Sequence, residues 1–447
     1  MSTKDPLVAV SAPGKVMLAG GYLVLDRAYT GLVFGLSARI NVVAQEIHTS
    51  PGVHLTEIVV ESPQFLDAQW RYGYHLADDD GGIKVTQLQV GSHITPNPFV
   101  ETTLNFALTY IARVHTRRAT RPVHSARLTI LADNDYYSQP SAATTPTPSS
   151  KSRFAHFPVP LSSAHKTGLG SSAALVTALT AALLTHYLDP SLFTLSTPAG
   201  RQTLHNLAQA AHCAAQGKVG SGFDVAAAVY GSARYRRFSP SVLAALPEPG
   251  APGFATALEG VVSAGAWDVE VDKDGVGLPE GVAVRMCDVD CGSQTVGMVK
   301  GVLAWRGREK ELAAEVWDGL QRRNEELAGV LKEGRVEEIT GAVARVRELV
   351  RRMGEESGVP IEPESQTALL DGLTGVEGVF GGVVPGAGGY DALALLVRDD
   401  DETAGRVRAF LEAWGKEKGV RVSLMDVKGE MEGVREEDAG GYGEWIR

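Results

Sequence analysis

The stretch Lys166-Thr167-Gly168-Leu169-Gly170-Ser171-Ser172-Ala173-Ala174 carries the strongest information about the fold of this chain. Its two glycines allow the backbone to approach a ligand closely, and its two serines stand where a helix is predicted to begin. The unpaired N–H groups and the positive dipole end of a helix start favour a phosphate group. The segment therefore predicts a phosphate-binding loop, with a glycine-rich turn and a serine cap as the structural alternative.

This loop differs from the common nucleotide-binding motifs. A GxxxxGK[ST] sequence is absent, because Gly217-Lys218 is followed by Val219. The dinucleotide fingerprint is matched only in its alanine form, and Pro158 and Pro160 interrupt the strand that should precede it. The protein-kinase HRD and DFG triplets are also absent, as is the HExxH spacing of zinc hydrolases.

The composition is that of an ordinary globular protein. The chain has 447 residues, of which 44% are hydrophobic and 21% charged, so two to three domains are expected. It has no apolar run of about 18 residues and no secretion signal at its start, so we expect no membrane partner. A net charge of −11 disfavours nucleic acid. Cys213, Cys287 and Cys291 form no CxxC pair, which favours a reducing, cytoplasmic location.

Hydrophobic periodicity predicts a strand-rich start, a helical middle and a second α/β region. Strands are predicted at 7–12, 16–19, 41–47, 54–60, 85–90, 127–131, 392–397 and 420–427, and helices at 99–114, 169–187, 203–216, 312–331, 339–350 and 406–414. A change in composition at 240–262 predicts two domains, 1–250 and 251–447. Between Ser138 and Ser152, 11 of 15 residues are Ser, Thr or Pro, which predicts a flexible surface insertion, either regulatory or merely tolerated.

Two further segments extend the glycine loop into a family resemblance. These are Ser11-Ala12-Pro13-Gly14-Lys15-Val16 and Val384-Pro385-Gly386-Ala387-Gly388-Gly389-Tyr390-Asp391-Ala392. Together with the loop they resemble, in order, the three motifs of the GHMP small-molecule kinases, so the resemblance spans nearly the whole chain. It implies an α+β fold, with an N-terminal α/β domain that contains a left-handed crossover and a C-terminal ferredoxin-like domain. It also implies ATP and Mg²⁺ as cofactors.

Within that family the acceptor is suggested by residues 216–231 (QGKVGSGFDVAAAVYG) and 19–25 (AGGYLVL). Both resemble the members that phosphorylate 5-phosphomevalonate, especially the fungal ones, and the runs at 97–101, 292–295 and 363–367 support this. The resemblance implies that ATP and 5-phosphomevalonate give ADP and 5-diphosphomevalonate, on the route to isoprenoids and sterols. Mevalonate, homoserine or a sugar as acceptor, the related decarboxylase, and a ligand-sensing relative without catalysis stay open. A monomer and a homodimer are both compatible with the sequence.

The resemblance also assigns roles to single residues. Lys15 is expected to neutralise charge at the acceptor and the transferred group, and Asp224 to orient Lys15 and the acceptor. A carboxylate in the apolar setting of Asp224 is costly unless it is paired or functional. The expected ATP-phosphate contacts are Lys166, Gly168, Leu169, Gly170, Ser171, Ser172 and Ala173, with Ser172 as a Mg²⁺ ligand. The expected substrate contacts are Lys15, Lys218, Ser221, Ser293, Thr295, Gln366, Gly388 and Gly389.

The sequence departs from the family pattern at one place. Relatives often supply a glutamate ligand for Mg²⁺ from the helix before the catalytic aspartate, whereas residues 201–223 contain no Asp or Glu. Magnesium is then expected on Ser172, ATP oxygens, water and Asp224. For Lys166 and Lys218 a solvated surface lysine is the structural alternative.

Overall fold

A computed structural model describes residues 7–50, 52–53, 55–89, 95–118, 123–137, 152–263, 265, 267–289 and 295–446. Two of the sequence predictions fall on other residues. The predicted insertion lies outside the described residues except for Ser152, and Ser293 lies outside them as well.

The described chain has five strands before its first α-helix, and helices and strands are interspersed after that. The strands are β1 (Val8–Ala19), β2 (Gly31–Glu46), β3 (Glu57–Glu61), β4 (Gln69–Ala77), β5 (Gly82–Gln87), β6 (Ala126–Ala132), β7 (Ala233–Arg236), β8 (Glu270–Asp272), β9 (Val282–Val289), β10 (Val379–Val383), β11 (Ala392–Arg398), β12 (Val422–Glu430) and β13 (Arg435–Glu436). The helices are α1 (Pro98–Arg118), α2 (Ser171–Tyr187), α3 (Pro198–Gln216), α4 (Phe223–Tyr230), α5 (Phe254–Ser263), α6 (Thr295–Arg308), α7 (Lys310–Lys332), α8 (Ile339–Ser357), α9 (Glu364–Thr374) and α10 (Asp401–Lys418). None of the described helices is long and apolar enough to cross a membrane.

The strands join into one sheet of order β10-β11-β9-β12-β2-β6-β3-β4-β5. β1 pairs with β2 on one side and with β13 on the other, while β7 links β2 to β8. The pairing of β3 with β6 is parallel, whereas β2 pairs antiparallel with β1, β6, β7 and β12. The chain therefore combines long antiparallel ladders with helices, which confirms the predicted α+β fold class.

The C-terminal part has the ferredoxin-like arrangement that the resemblance implies. β9 is followed by helices, then by the hairpin of β10 and β11, then by α10 and β12. In the sheet these four strands lie in the order β10-β11-β9-β12, and each neighbouring pair is antiparallel. This succession of strand, helix, two strands, helix and strand is the ferredoxin-like motif, here with several helices in the first connection.

The region around the predicted domain boundary packs against the N-terminal part. α5, which begins at Phe254, packs on α1 and α3, and the Phe254 ring lies 5.2 Å from the Phe106 ring. β8 extends the sheet beyond β7. The division at residue 250 stays a prediction, and the elements between residues 254 and 272 contact elements that precede it.

The N-terminal sheet differs from the sequence prediction in β1 and β4, and also in the first half of β2 and in β7, where no strand is predicted. The predicted break at Pro13-Gly14 is a shift in register between β1 and β2 within one continuous strand. β4 was not predicted at all. Its buried Trp70, Tyr72 and Tyr74 alternate with more exposed residues, which is the period-2 pattern of a strand with one face in the core.

α2 is the helix that places the glycine loop. Its sequence is rich in Ala, Leu and Thr, and 12 of its 17 residues are buried. The small side chains let it pack against β1 and β2 as well as α1, α3 and α4. Because α2 is enclosed on nearly all sides, its first turn is fixed beside β1.

Arg39 ties the C-terminal segment to the N-terminal sheet. Its guanidinium is 1% exposed, donates to Ser11 Oγ at 2.7 Å and to the Gly433 carbonyl, and forms an ion pair with Glu430 at 2.7 Å. A charge or carbonyl that is buried here without a partner destabilises the fold, because little water can reach it.

We expect Arg39→Met to lower the free energy of unfolding by about 3 kcal/mol, because it leaves Glu430 and the Gly433 carbonyl without their buried partner. The urea midpoint measures this loss. Arg408→Ala is the matched control, since it removes an exposed ion pair with Asp426 at 2.8 Å, and such a pair contributes less than about 1 kcal/mol. Equal midpoint shifts for the two variants would contradict the prediction.

Candidate active site

Lys15 joins the middle of β1 to the glycine loop. Its backbone N–H donates to the Leu169 carbonyl at 2.9 Å, and its ammonium donates to the Gly168 carbonyl at 3.3 Å. The first two sequence motifs, about 150 residues apart in the chain, are therefore in direct contact. Gly14 permits this approach, since a Cβ there would lie 2.9 Å from the Leu169 carbonyl oxygen.

The backbone of the loop requires glycine at two positions. Gly168 has φ +73° and Gly170 has φ +84°, a left-handed conformation that side chains disfavour. A Cβ on Gly170 would also lie 2.8 Å from Lys15 Cε. Gly170 thus lets Lys15 lie across the start of α2.

Ser171 and Ser172 are the first residues of α2, as the sequence predicts. Gly170 occupies the N-cap position, and no side chain of the described residues caps the helix there. The first N–H groups of α2 are consequently available to an anion, and the helix dipole favours one. Both serines are half-buried, and Ala173 behind them is buried.

Asp224 lies in the first turn of α4, behind Gly222 with φ +82°. It is close enough to Lys15 for the two charges to interact. Burial lowers the pKa of the Lys15 ammonium below its ordinary value, and the negative charge of Asp224 opposes that shift. The Lys15 ammonium also lies 5.8 Å from the centre of the Phe223 ring. The two predicted catalytic residues therefore occupy one site.

His212 is a site residue that the sequence did not reveal. It lies on α3, is 2% exposed, and places Nε2 3.2 Å from Ser172 Oγ and Nδ1 3.8 Å from Asp224 Oδ2. A histidine among the apolar residues of a helix is indistinguishable in sequence from a buried core histidine. The one signal in the sequence was the lack of acidic residues at 201–223, which indicates that a residue other than a carboxylate faces Ser172.

The third motif contacts residues 19–25, which follow the first motif. The Tyr22 hydroxyl donates to the Ala387 carbonyl at 2.6 Å, and a Cβ on Gly21 would lie 2.0 Å from the Gly386 carbonyl oxygen. Gly389 donates its N–H to the Ile361 carbonyl at 2.9 Å. Gly388, with φ +84°, would place a Cβ 2.2 Å from the same oxygen.

The other predicted substrate contacts are more dispersed. Gln366 is buried and donates to the Tyr390 carbonyl at 2.7 Å, which places it beneath the third motif. Its Oε1 has no hydrogen-bond partner among the described residues. Ser221 is half-buried, and its carbonyl accepts a hydrogen bond from Tyr235 at 2.7 Å. Thr295 is the first residue of α6.

Lys166 and Lys218 are both exposed. Lys166 lies two residues before Gly168 of the phosphate loop, and Lys218 follows the Gly217 that ends α3. Among the described residues their ammonium groups form no hydrogen bond or ion pair, and each is free to reach a phosphate or to remain in solvent. Their assignment as ligand contacts stays a prediction.

A metal ion would find oxygen donors but no ready-made cage. The described residues contain no cluster of three or more His, Cys, Asp or Glu side chains suited to a metal. Ser172 and Asp224 both lie against His212, and hydroxyl and carboxylate oxygens are ligands that Mg²⁺ accepts together with water and substrate phosphates. The donor set therefore fits an ion that arrives with its nucleotide.

Comparison with known proteins agrees with this geometry. The chain is 65% identical over 447 residues to the phosphomevalonate kinase of Gibberella zeae, and the match covers all of both chains. The chain belongs to the phosphomevalonate kinase family. The peroxisomal phosphomevalonate kinase of Arabidopsis thaliana is 35% identical over 475 residues, covering 89% of this chain and 91% of the plant protein.

A family model and a solved structure extend the comparison of this phosphomevalonate kinase family member. The family described as the GHMP kinases N terminal domain matches residues 156–232, which include the glycine loop and Asp224. The phosphomevalonate kinase of Streptococcus pneumoniae, solved in complex with phosphomevalonate and AMPPNP, superposes with a TM-score of 0.59. That comparison covers 94% of this chain and 100% of the other at 16% identity, so it shows the shared fold.

We expect Gly170→Ala to reduce kcat by roughly tenfold or more, because the added Cβ displaces Lys15 from its place over the loop. Gly419→Ala is the matched control. Gly419 has a similar positive φ of +68° at the end of α10 and open space around it, so both variants incur a similar conformational cost. Steady-state kinetics and thermal unfolding should show comparable destabilisation but a rate loss in Gly170→Ala alone. Similar rates in the two variants would be evidence against this role for Gly170.

Proposed function

We propose that this chain transfers the terminal phosphoryl group of ATP to (R)-5-phosphomevalonate, releasing ADP and (R)-5-diphosphomevalonate. The observation that carries the proposal is the contact of Lys15 with the glycine loop on one side and its electrostatic interaction with Asp224 on the other. This arrangement brings a cation, a phosphate loop and a carboxylate to one place, in a chain from the phosphomevalonate kinase family.

The acceptor makes unusual demands on the site. Its nucleophile is an oxygen of a phosphate monoester, whose second pKa is about 6, so at neutral pH the group is already mostly a dianion. Strong proton abstraction is therefore less important than for an alcohol. The larger obstacle is the repulsion between two anions, and phosphoryl transfer depends on positioning and charge neutralisation.

Lys15 and Asp224 divide that work. The Lys15 ammonium neutralises charge on the acceptor and on the transferred group, and nearby phosphates favour its charged form against the effect of burial. Asp224 attracts the ammonium and orients it. An oxygen of the acceptor phosphate forms a bond to the γ-phosphorus of ATP. The bond between the γ-phosphorus and the oxygen that bridges it to the β-phosphorus breaks, and ADP leaves with that electron pair.

The glycine loop binds the ATP phosphates in this proposal. The N–H groups at the start of α2 and the hydroxyls of Ser171 and Ser172 face the phosphates, and Lys166 adds charge from the exposed side. Gly168, Leu169, Gly170 and Ala173 contribute backbone contacts. Lys218, Ser221, Ser293, Thr295, Gln366, Gly388 and Gly389 are the proposed contacts for the acceptor.

Mg²⁺ is the proposed metal, held by Ser172 and Asp224 together with ATP oxygens and water. When bound, it neutralises charge on the β- and γ-phosphates. The support is the chemistry of the two side chains, a hydroxyl in the first turn of α2 and a carboxylate in the first turn of α4.

We further propose a cytoplasmic enzyme, monomeric or homodimeric, in two domains at 1–250 and 251–447. Cys213 and Cys287 are buried free thiols, which suits a reducing compartment.

The direct test is release of ADP with magnesium-ATP and three conditions: 5-phosphomevalonate, mevalonate and no acceptor. We expect turnover with 5-phosphomevalonate alone. Turnover with mevalonate instead would replace the acceptor while keeping the reaction type. Absence of turnover with both acceptors would reject the proposed function.

We expect Lys15→Met and Asp224→Asn to lower kcat by two or more orders of magnitude, on the order of the loss when a key charge is removed from a transition state. Both variants should keep the circular dichroism spectrum and melting temperature of the parent within a few degrees. Lys416→Met is the matched control, because Lys416 is exposed on α10 and pairs with Glu412 at 2.7 Å. A folded Lys15 or Asp224 variant with near-normal kcat would remove that residue from the catalytic set.

A further inference from the structure

His212 connects the starts of two helices that carry site residues. From α3 its ring reaches Ser172, in the first turn of α2, and Asp224, in the first turn of α4. The Nε2 to Ser172 Oγ distance of 3.2 Å is a hydrogen bond, whereas 3.8 Å from Nδ1 to Asp224 Oδ2 is an electrostatic contact. Gln216, one turn further along α3, places its amide nitrogen 3.2 Å from the same Nε2.

These neighbours select the tautomer of the ring that has a proton on Nδ1 and a lone pair on Nε2. The carboxylate of Asp224 attracts an N–H at Nδ1. The Gln216 amide nitrogen can only donate, so Nε2 is the acceptor nitrogen. The Ser172 hydroxyl then shares the single lone pair of Nε2 with the Gln216 amide, so that its proton faces Nε2 and its oxygen lone pairs are directed away from the ring. A serine oxygen held in this way is prepared to accept a cation or an N–H donor.

A second histidine on the same helix shows that this placement is specific to His212. His205 is fully buried, contacts Asn206 Oδ1 at 3.3 Å, and packs near the rings of Tyr230 and Trp267. It serves the core, and its Nε2 has no partner among the described residues. The two histidines are seven positions apart, so they share a helix yet differ in whether they contact the site.

We propose that His212 is a positioning residue that fixes the rotamer of the Ser172 hydroxyl for magnesium-nucleotide binding. The inference rests on the proposed function, because it concerns the same nucleotide site. α3 offers no carboxylate here, since residues 201–223 contain no Asp or Glu. An imidazole orients the serine without adding a negative charge beside the ATP phosphates. Groups of this kind, which orient a ligand, change metal affinity by roughly 10–100-fold when they are removed.

The test is a double-mutant cycle on binding rather than on turnover. The Kd of AMPPNP with Mg²⁺ is measured by calorimetry for the parent, His212→Ala, Ser172→Ala and the double variant. Each single change should raise Kd by about tenfold. If His212 acts through Ser172, the double variant should also stay near tenfold. Two results would overturn the proposal. One is a rise in Kd of about a hundredfold in the double variant, the product of the two single effects, and the other is an unchanged Kd in His212→Ala.

Conservative variants separate positioning from packing. The carboxamide of His212→Gln reaches the place of Nε2 and can accept from Ser172, so it should recover most of the affinity, whereas His212→Asn should not. This pair also decides the matter if His212→Ala does not fold, because equal Kd values for Gln and Asn would refute the proposal. His205→Gln is the matched control and should lower the melting temperature without changing Kd.

Failure of this inference is distinguishable from failure of the proposed function. The binding cycle uses a nucleotide and no acceptor, so it reports on His212 even if 5-phosphomevalonate is not the substrate. Turnover of 5-phosphomevalonate by the parent enzyme is measured separately and tests the acceptor alone.

Discussion

Two hydrogen bonds from a single residue hold the glycine loop against the sheet. The backbone N–H of Lys15 donates to the Leu169 carbonyl and its ammonium donates to that of Gly168. The distance between a lysine and a phosphate loop would otherwise depend on the flexibility of both. Here the strand, the loop and the buried helix α2 behind it form one rigid unit. His212 on α3 and Asp224 on α4 are then placed relative to that unit, because both helices pack directly on α2.

The sequence predicted the parts of this site that have local signals. The glycines and serines of the loop mark a turn and a helix start, and Gly217 at the end of α3 has φ +65°, the usual left-handed helix end. The ferredoxin-like part and the GHMP fold followed from the resemblance of three short motifs. Each of these signals is a short run of neighbouring residues, so it can be recognised in the sequence without knowing the fold.

Other features depend on contacts between distant residues and left no such trace. The approach of Gly21 to Gly386 joins positions separated by most of the chain, and His212 looks in sequence like any buried histidine. The third motif, in turn, rests on Ile361, next to Glu362, whose buried carboxylate pairs with Arg347 at 2.7 Å. A buried ion pair contributes little net stability, but once formed it permits few alternative geometries. Pairings of this kind arise only from the folded arrangement.

The pairing of β13 with β1 has a consequence for the order of events during synthesis. Ser11 on β1 lies opposite Arg435 on β13, and Tyr442 donates to Asn41 on β2 at 2.9 Å. β1, the strand that carries Lys15, therefore has a neighbour made more than 400 residues later. A growing chain released from the ribosome residue by residue cannot close this edge of the sheet until residue 436 has emerged. Until then β1 exposes unpaired backbone groups, and a chaperone that covers such edges would find its binding site on the strand that later holds the phosphate loop.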